Sequence, residues 1–366
     1  MGYAGAPMLS RCSPVILGAL AMLASCNAAA PDRSGTRAGP ASPGSFRFVG
    51  RVEADGDGGA RYAWSGTGFV ARFVGTGVAV RLRDERNEHH VVLDGRLLPT
   101  LVAMRGVERY PVAAGLPPGE HRLEVYRRTE ALFGVSHFLG IEVADGRLLD
   151  AGPAPARRIE VVGDSISCGY GNEGTRPDCR FSAATENHYA SYGAVLARSL
   201  GAALSTVAWS GRGVVRNYGG EPGDTMGRLY ERTLPESPSS RWSQDESNDA
   251  VIVNLGTNDY STEPDPDEAA FVRGYAALLE RIRRGNPRAF VLCTVGPMLG
   301  GHDLERARAA IARAVELRRS AGDGRVAAHR MATTNESPGC DWHPGIATHR
   351  RMAEELAVPI RAALGW

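Results

Sequence analysis

The 366-residue chain contains no lysine, so all 42 of its basic residues are arginine. That bias reads as the mark of a GC-rich coding sequence, not of a function. Net charge is missing too. The 41 acidic residues leave only +1 at pH 7, which gives no case for nucleic acid or another anionic partner. Long apolar runs are scarce. The run from Pro14 to Leu23 is too short to stay in a bilayer as a spanning helix. No lid-like apolar stretch accompanies the later motifs, which weighs against a lipid substrate. No two cysteines have the C-x-x-C spacing of structural zinc sites, and no metal or organic cofactor is implied. Within residues 46–143 no segment carries a convincing helical period.

The first residues are a processing signal. Arg11 precedes the Pro14 to Leu23 run, which ends in Leu23-Ala24-Ser25-Cys26. These residues resemble the lipobox of bacterial lipoproteins, where the signal is cut ahead of a cysteine that then carries lipid. Residues 1–26 are therefore read as signal peptide and lipobox, with Cys26 as the lipidation site. The alternative is an ordinary secretory signal cleaved nearby. Either way the mature chain is exported, and it meets a membrane only through a lipid anchor. Residues 27–45, rich in Ala, Pro, Gly and Ser, read as a flexible linker. The remainder is long enough for two domains.

Beyond Cys12 and Cys26, four cysteines remain: Cys168, Cys179, Cys293 and Cys340. An even number in an oxidising compartment suggests pairing. Cys168 and Cys179 share one loop, and Cys293 and Cys340 lie near late strand ends, so those two pairs are expected. Four cysteines permit three connectivities, and the sequence does not choose among them.

Residues 46–150 read as one domain, with a period close to two through 46–143 and frequent turn signals. Strands are expected at 66–73, 78–83, 90–93, 106–110, 119–127 and 136–143. Asp94-Gly95 between apolar runs is a strong hairpin signal. Short strands at this spacing predict a β-sandwich of jelly-roll type. Tyr62 and Trp64 fit the core of such a sandwich better than a sugar platform. His89 and His90 are adjacent on a strand and point to opposite faces, so they cannot easily share a metal.

After a Gly-Pro-Ala-Pro hinge at 152–155 the pattern alternates. Strands are expected at 159–162, 203–209, 249–255, 289–295 and 325–328, with helices at 188–199, 267–284, 303–320 and 346–364. This predicts an α/β domain over 156–366, with a parallel sheet covered on both faces. Small or polar residues follow the strands: Ser165 in Gly163-Asp164-Ser165, Gly211 in Ser210-Gly211-Arg212-Gly213, and Asn258 in Gly256-Thr257-Asn258-Asp259. Asp341-Trp342-His343-Pro344 stands before the last helix. Strand ends of a parallel sheet share one edge, so these segments can converge. A nucleophilic serine needs a base, and the base needs orienting. Ser165, His343 and Asp341 are the catalytic candidates. The Ser165 and Gly211 amides and the Asn258 side chain are the oxyanion-hole candidates. Aromatic faces suit pyranose rings, which makes Trp209, Tyr260 and Trp342 substrate-binding candidates, with Arg212 beside them.

The four segments look like the four sequence blocks of the SGNH (GDSL-type) hydrolases, and the resemblance is closer still to carbohydrate esterase family 2. The supporting stretches are GDSISCGYGNEG at 163–174, FSAATENHYASYG at 181–193, TVAWSGRGVVRNYGG at 206–220 and GTNDYST at 256–262. The resemblance implies a flavodoxin-like SGNH domain behind a jelly roll, and a monomeric serine esterase that takes O-acetyl groups off carbohydrate without a cofactor. One point departs from the block pattern. The usual spacing is Asp-x-x-His, whereas here Cys340 stands three before His343 and Asp341 two before it. Some members of the family orient the histidine with a backbone carbonyl, so either group can serve. The remaining alternatives are an esterase or lysophospholipase on another acyl ester and a non-catalytic carbohydrate-binding lipoprotein.

Overall fold

The computed structural model describes residues 45–366 apart from 57 and 244–246. The signal peptide, Cys26 and nearly all of the linker lie outside the described residues. Among the described residues no helix is long and apolar enough to cross a membrane.

The first part is a sandwich of two antiparallel sheets. One sheet runs Phe46–Val49, Gly68–Val74, Glu120–Arg127, Glu88–Leu93, Arg96–Leu97, with Arg147–Leu149 and Leu101–Val102 attached at its sides. The other runs Glu53–Ala54, Ala60–Tyr62, Ser136–Ala144, Gly77–Arg83, Arg109–Ala114. Alternation decides which side chains meet. Phe69, Ala71 and Phe73 from one strand face Val78, Val80 and Leu82 from the other sheet, around a fully buried Phe138. Truncating Phe138 to Ala would cost about 3–5 kcal/mol on the usual scale for buried aromatics. The Asp94-Gly95 hairpin forms with both residues at positive φ, 51° and 76°. That is the type I′ geometry that matches strand twist. His89 and His90 are both buried, and their partners differ, as opposite faces require. His90 Nε2 lies 2.8 Å from the Asn187 side chain, whereas His89 faces Tyr62.

The second part is a five-stranded parallel sheet in the order Ala202–Ala208, Arg157–Gly163, Ala250–Asn254, Phe290–Thr294, Val326–Ala328. This is the flavodoxin-like order, with its switch point beside the first strand. Strand alternation feeds two separate cores. Ile159, Val161 and Ile252 pack under helices Tyr192–Ser199 and Ile346–Leu364. Val162, Val251 and Val253 pack under Glu268–Gly285 and Gly301–Ser320. The second core also takes in Trp64 and Ala131 from the sandwich. A buried ion pair, Arg51 to Glu160 at 2.9 Å, joins the sandwich to the first parallel strand. A charge held there without its partner would be strongly destabilising. Tyr62 and Trp64 are fully buried and offer no platform for a sugar.

Candidate active site

Register sets the site. Gly163 lies level with Ala208 and with Asn254 in neighbouring strands, so the segments that follow all three leave the sheet at one edge. After Gly163 the chain turns into the short helix Ser165–Cys168, capped by the Asp164 carboxylate, which accepts from the Ile166 N–H at 3.1 Å. The turn is so tight that a Cβ on Gly163 would stand 2.0 Å from Ser167 Oγ. That explains glycine ahead of the Asp-Ser pair. Burial pushes the Asp164 carboxyl up to about 7, against the lowering effect of the Ile166 amide.

His343 arrives from the far end of the chain. Its Nε2 lies 2.8 Å from Ser165 Oγ, and its Nδ1 lies 3.0 Å from the backbone carbonyl oxygen of Asp341. A carbonyl can only accept, so Nδ1 carries the proton and Nε2 presents its lone pair to the serine. Burial lowers the pKa of His343 to about 4, against the raising effect of the Asp341 carbonyl and carboxylate. The ring is therefore neutral at physiological pH, and its Nε2 lone pair is available to accept the serine proton.

The expected Asp341 carboxylate–His343 bond is not made. The carboxylate turns away and accepts from Tyr170 Oη at 2.9 Å and the Phe181 N–H at 3.0 Å. The cause lies in the backbone. Asp341 and Trp342 both take left-handed conformations, with φ of 49° and 57°. This tight turn aims the Asp341 carbonyl at the imidazole. Two consecutive non-glycine residues of this kind are uncommon. They are held by Cys340 N–H to Gly171 O, Asp341 N–H to Cys179 O, and the Cys179–Cys340 disulfide. The expected cysteine pairing is thus corrected. Cys179 reaches across to Cys340, while Cys168 and Cys293 are separate buried thiols. Cys168 sits on the helix led by Ser165 and Cys293 on the fourth parallel strand, each facing packed side chains.

The other two blocks are locked to each other. Asn258, on helix Thr257–Tyr260, donates from Nδ2 to the Arg212 carbonyl at 3.0 Å. The fully buried Asp259 carboxylate accepts from the amides of Val214, Val215 and Arg216 at 2.9–3.1 Å. Gly213 must be glycine, since a Cβ would stand 2.6 Å from that carboxylate and 2.0 Å from the Arg216 carbonyl. Gly211, at φ 76°, forms the turn just before it.

This geometry has relatives. Residues 48–153 match the carbohydrate esterase 2 N-terminal family, and residues 161–351 match the GDSL-like lipase/acylhydrolase family. A family two carbohydrate esterase from Clostridium thermocellum, solved with cellohexaose, superposes with a TM-score of 0.84 at 38% identity, covering 88% of this chain and 99% of that one. The chain belongs to carbohydrate esterase family 2. It is 39% identical over 323 residues to the cellulase/esterase CelE of Acetivibrio thermocellus, covering 87% of this chain but only 39% of that protein's length. It is also 26% identical over 355 residues to an acetylxylan esterase/glucomannan deacetylase of Cellvibrio japonicus, covering 94% of this chain and 96% of that one.

Within this family 2 chain the four candidate sugar contacts separate. Trp342 is 62% exposed, directly beside His343. Trp209 is buried in the core, and the Arg212 guanidinium stands 4.9 Å from its ring. Tyr260 is almost fully buried and packs edge-on against Phe271. Trp209 and Tyr260 therefore present no free face to a sugar, because Arg212 lies over the one ring and Phe271 packs against the other. Arg212 is partly exposed and reaches the Pro222 carbonyl. A cavity of about 440 Å³ lies beside the histidine loop, lined in part by Arg330, Thr333, Thr334 and Asn335. Asn335 donates to the Trp342 carbonyl at 2.8 Å. Sequence reading missed Tyr170, whose ring lies 4.1 Å from that of His343. It stands within the GDSISCGYGNEG stretch, so its proximity to the serine was the available signal.

Proposed function

We propose that this chain is a serine esterase that removes O-acetyl groups from carbohydrate, such as acetylated xylan or glucomannan, through an acyl-enzyme. The observation that carries the reading is the 2.8 Å contact between His343 Nε2 and Ser165 Oγ, with Nδ1 tied to a carbonyl. Ser165 Oγ attacks the acetyl carbonyl while its proton passes to Nε2. The imidazolium then gives that proton to the departing sugar oxygen. A water, deprotonated by the same nitrogen, attacks the acetyl-serine, and acetate leaves as the proton returns to Oγ. The Ser165 and Gly211 amides and Asn258 Nδ2 are the oxyanion donors in this reading. Trp342 is the exposed aromatic next to the base and serves as the stacking face for a sugar ring. Export, with a lipid anchor on Cys26, would place the enzyme among extracellular polysaccharides. Each step draws only on groups from one chain, so the reading requires no second subunit.

The test is acetate release from acetylated xylan and acetylated glucomannan, with p-nitrophenyl acetate as control, for wild type and Ser165→Ala. Release lost in the variant supports the serine and the carbohydrate together. Turnover of p-nitrophenyl acetate alone leaves the esterase and moves the substrate to another acyl ester. Binding of polysaccharide without turnover of any ester would make the chain a carbohydrate-binding protein. Release unchanged in Ser165→Ala would remove the mechanism.

A further inference from the structure

The loop between sandwich strands Glu120–Arg127 and Ser136–Ala144 carries Glu130, which is fully buried. Its two carboxylate oxygens hold a single residue of the parallel-sheet unit. The Ser210 N–H donates to one at 2.8 Å and the Ser210 hydroxyl to the other at 2.5 Å. Ser210 immediately precedes Gly211. The Glu130 backbone is held in turn: its N–H donates to Glu186 Oε2 at 3.0 Å, and its carbonyl accepts from Arg127 Nη2 at 2.7 Å. Arg127 is itself fully buried and also bonds Thr129 and Gly134 of the same loop and Ser136 at the start of the next strand. On the other side, Cys168 Sγ lies 3.9 Å from Glu130 Oε2, at the end of the short helix led by Ser165. Glu130 therefore touches the serine's helix and the Gly211 turn from a separate domain.

Fixing both the amide and the hydroxyl of one residue leaves its backbone little freedom. The next peptide plane carries the Gly211 N–H, so the grip on Ser210 restrains its direction. Oxyanion donors work only when aimed beforehand at the developing charge. We propose that Glu130 is a positioning residue for the oxyanion pocket, so that the β-sandwich completes the hydrolase active site instead of merely carrying it. This rests on the reading of Gly211 as an oxyanion donor.

The experiment compares Glu130→Ala, Glu130→Gln and Ser210→Ala with wild type on p-nitrophenyl acetate. It also measures inhibition by a small alkylboronic acid, which binds the serine as a tetrahedral anion. Removing one oxyanion donor outright costs about 100–1,000-fold in kcat, so misaiming one is expected to cost about 10–100-fold in Glu130→Ala, with KM within about threefold. Glutamine can accept from the Ser210 N–H and donate to its hydroxyl, so Glu130→Gln regains most of the loss. Boronate affinity falls in step with kcat. If Glu130→Ala does not fold, Ser210→Ala, which deletes only the hydroxyl contact, still lowers kcat and boronate affinity together. Folded variants with wild-type kcat and boronate affinity would overturn the proposal. So would a loss of activity that matches the unfolded fraction while the folded remainder keeps its boronate affinity. Full activity in Ser165→Ala would instead overturn the esterase reading beneath it, and the two failures are distinct.

Discussion

The imidazole of His343 is oriented by the backbone of Asp341, at 3.0 Å from Nδ1 to the carbonyl oxygen, while the Asp341 carboxylate serves Tyr170 and Phe181. The carboxylate braces the turn, and the turn aims the carbonyl. Its charge still acts on the ring through space, in the direction that raises the histidine pKa.

Asp341→Asn is accordingly expected to be mild. Loss of a carboxylate bonded directly to the histidine costs about 10⁴ in kcat in a serine protease triad, whereas here the expected loss is within about tenfold. Asparagine keeps an acceptor for Tyr170 and tolerates left-handed backbone, whereas Asp341→Ala adds about 1–2 kcal/mol of backbone strain. Steady-state kinetics on p-nitrophenyl acetate checks this. A loss near 10⁴ in the asparagine variant would restore the carboxylate to the triad.

The pH profile follows from the half-buried, desolvated base. Protonated His343 cannot accept the serine proton, and its pKa is lowered to about 4 by burial. The value of kcat/KM is expected to rise with pH through a single ionisation near that value and to stay level through neutrality. An acid limb at 6.5, the ordinary histidine value, would contradict the burial of the ring.

The Cys179–Cys340 bond closes a loop of 161 residues and ends three residues before the base. Loop entropy alone makes it worth about 5 kcal/mol. Reduction, or Cys179→Ser, should lower the unfolding temperature and reduce kcat severalfold by loosening the histidine turn. The backbone bonds from Cys340 and Asp341 keep the loss partial. Peptide mapping of the unreduced chain checks the pairing directly, and a Cys168–Cys179 or Cys293–Cys340 cross-link would refute it.

Trp342→Ala and Trp209→Ala should separate binding from folding. Loss of the exposed Trp342 face is expected to raise KM on polysaccharide about tenfold, the equivalent of one stacking contact, with p-nitrophenyl acetate turnover little changed. Loss of the buried Trp209 should instead cost about 3–5 kcal/mol of stability. Thermal melts beside kinetics on both substrates distinguish the two. Equal effects of the two variants on both readouts would remove the stacking role.

Much of this molecule was readable as a string. The period-two pattern through 46–143 placed six of the sandwich strands but not Phe46–Val49, Ala60–Tyr62 or the shorter edge strands, and Asp94-Gly95 formed the hairpin it signals. The alternation after 156 gave a parallel sheet, with helix and strand bounds within a few residues of those expected. Ser165 and His343 meet as their blocks implied. What failed was orientation. Tyr260 stands two residues after Asn258, yet its ring turns into the core, since neighbouring positions on one helical turn face different sides.

By itself the sequence determined which elements form, which edge of the sheet carries polar residues, and which residue types are available there. Those are consequences of local pattern: side-chain period, turn chemistry and residues adjacent along the chain. Only the tertiary structure decided which of two groups on Asp341 faces the imidazole, which cysteine finds Cys340, and that Glu130 reaches Ser210 across the domain boundary. Each of those depends on backbone dihedrals or on contacts between residues 80 to 161 positions apart. Packing selects such contacts, and no local period records them.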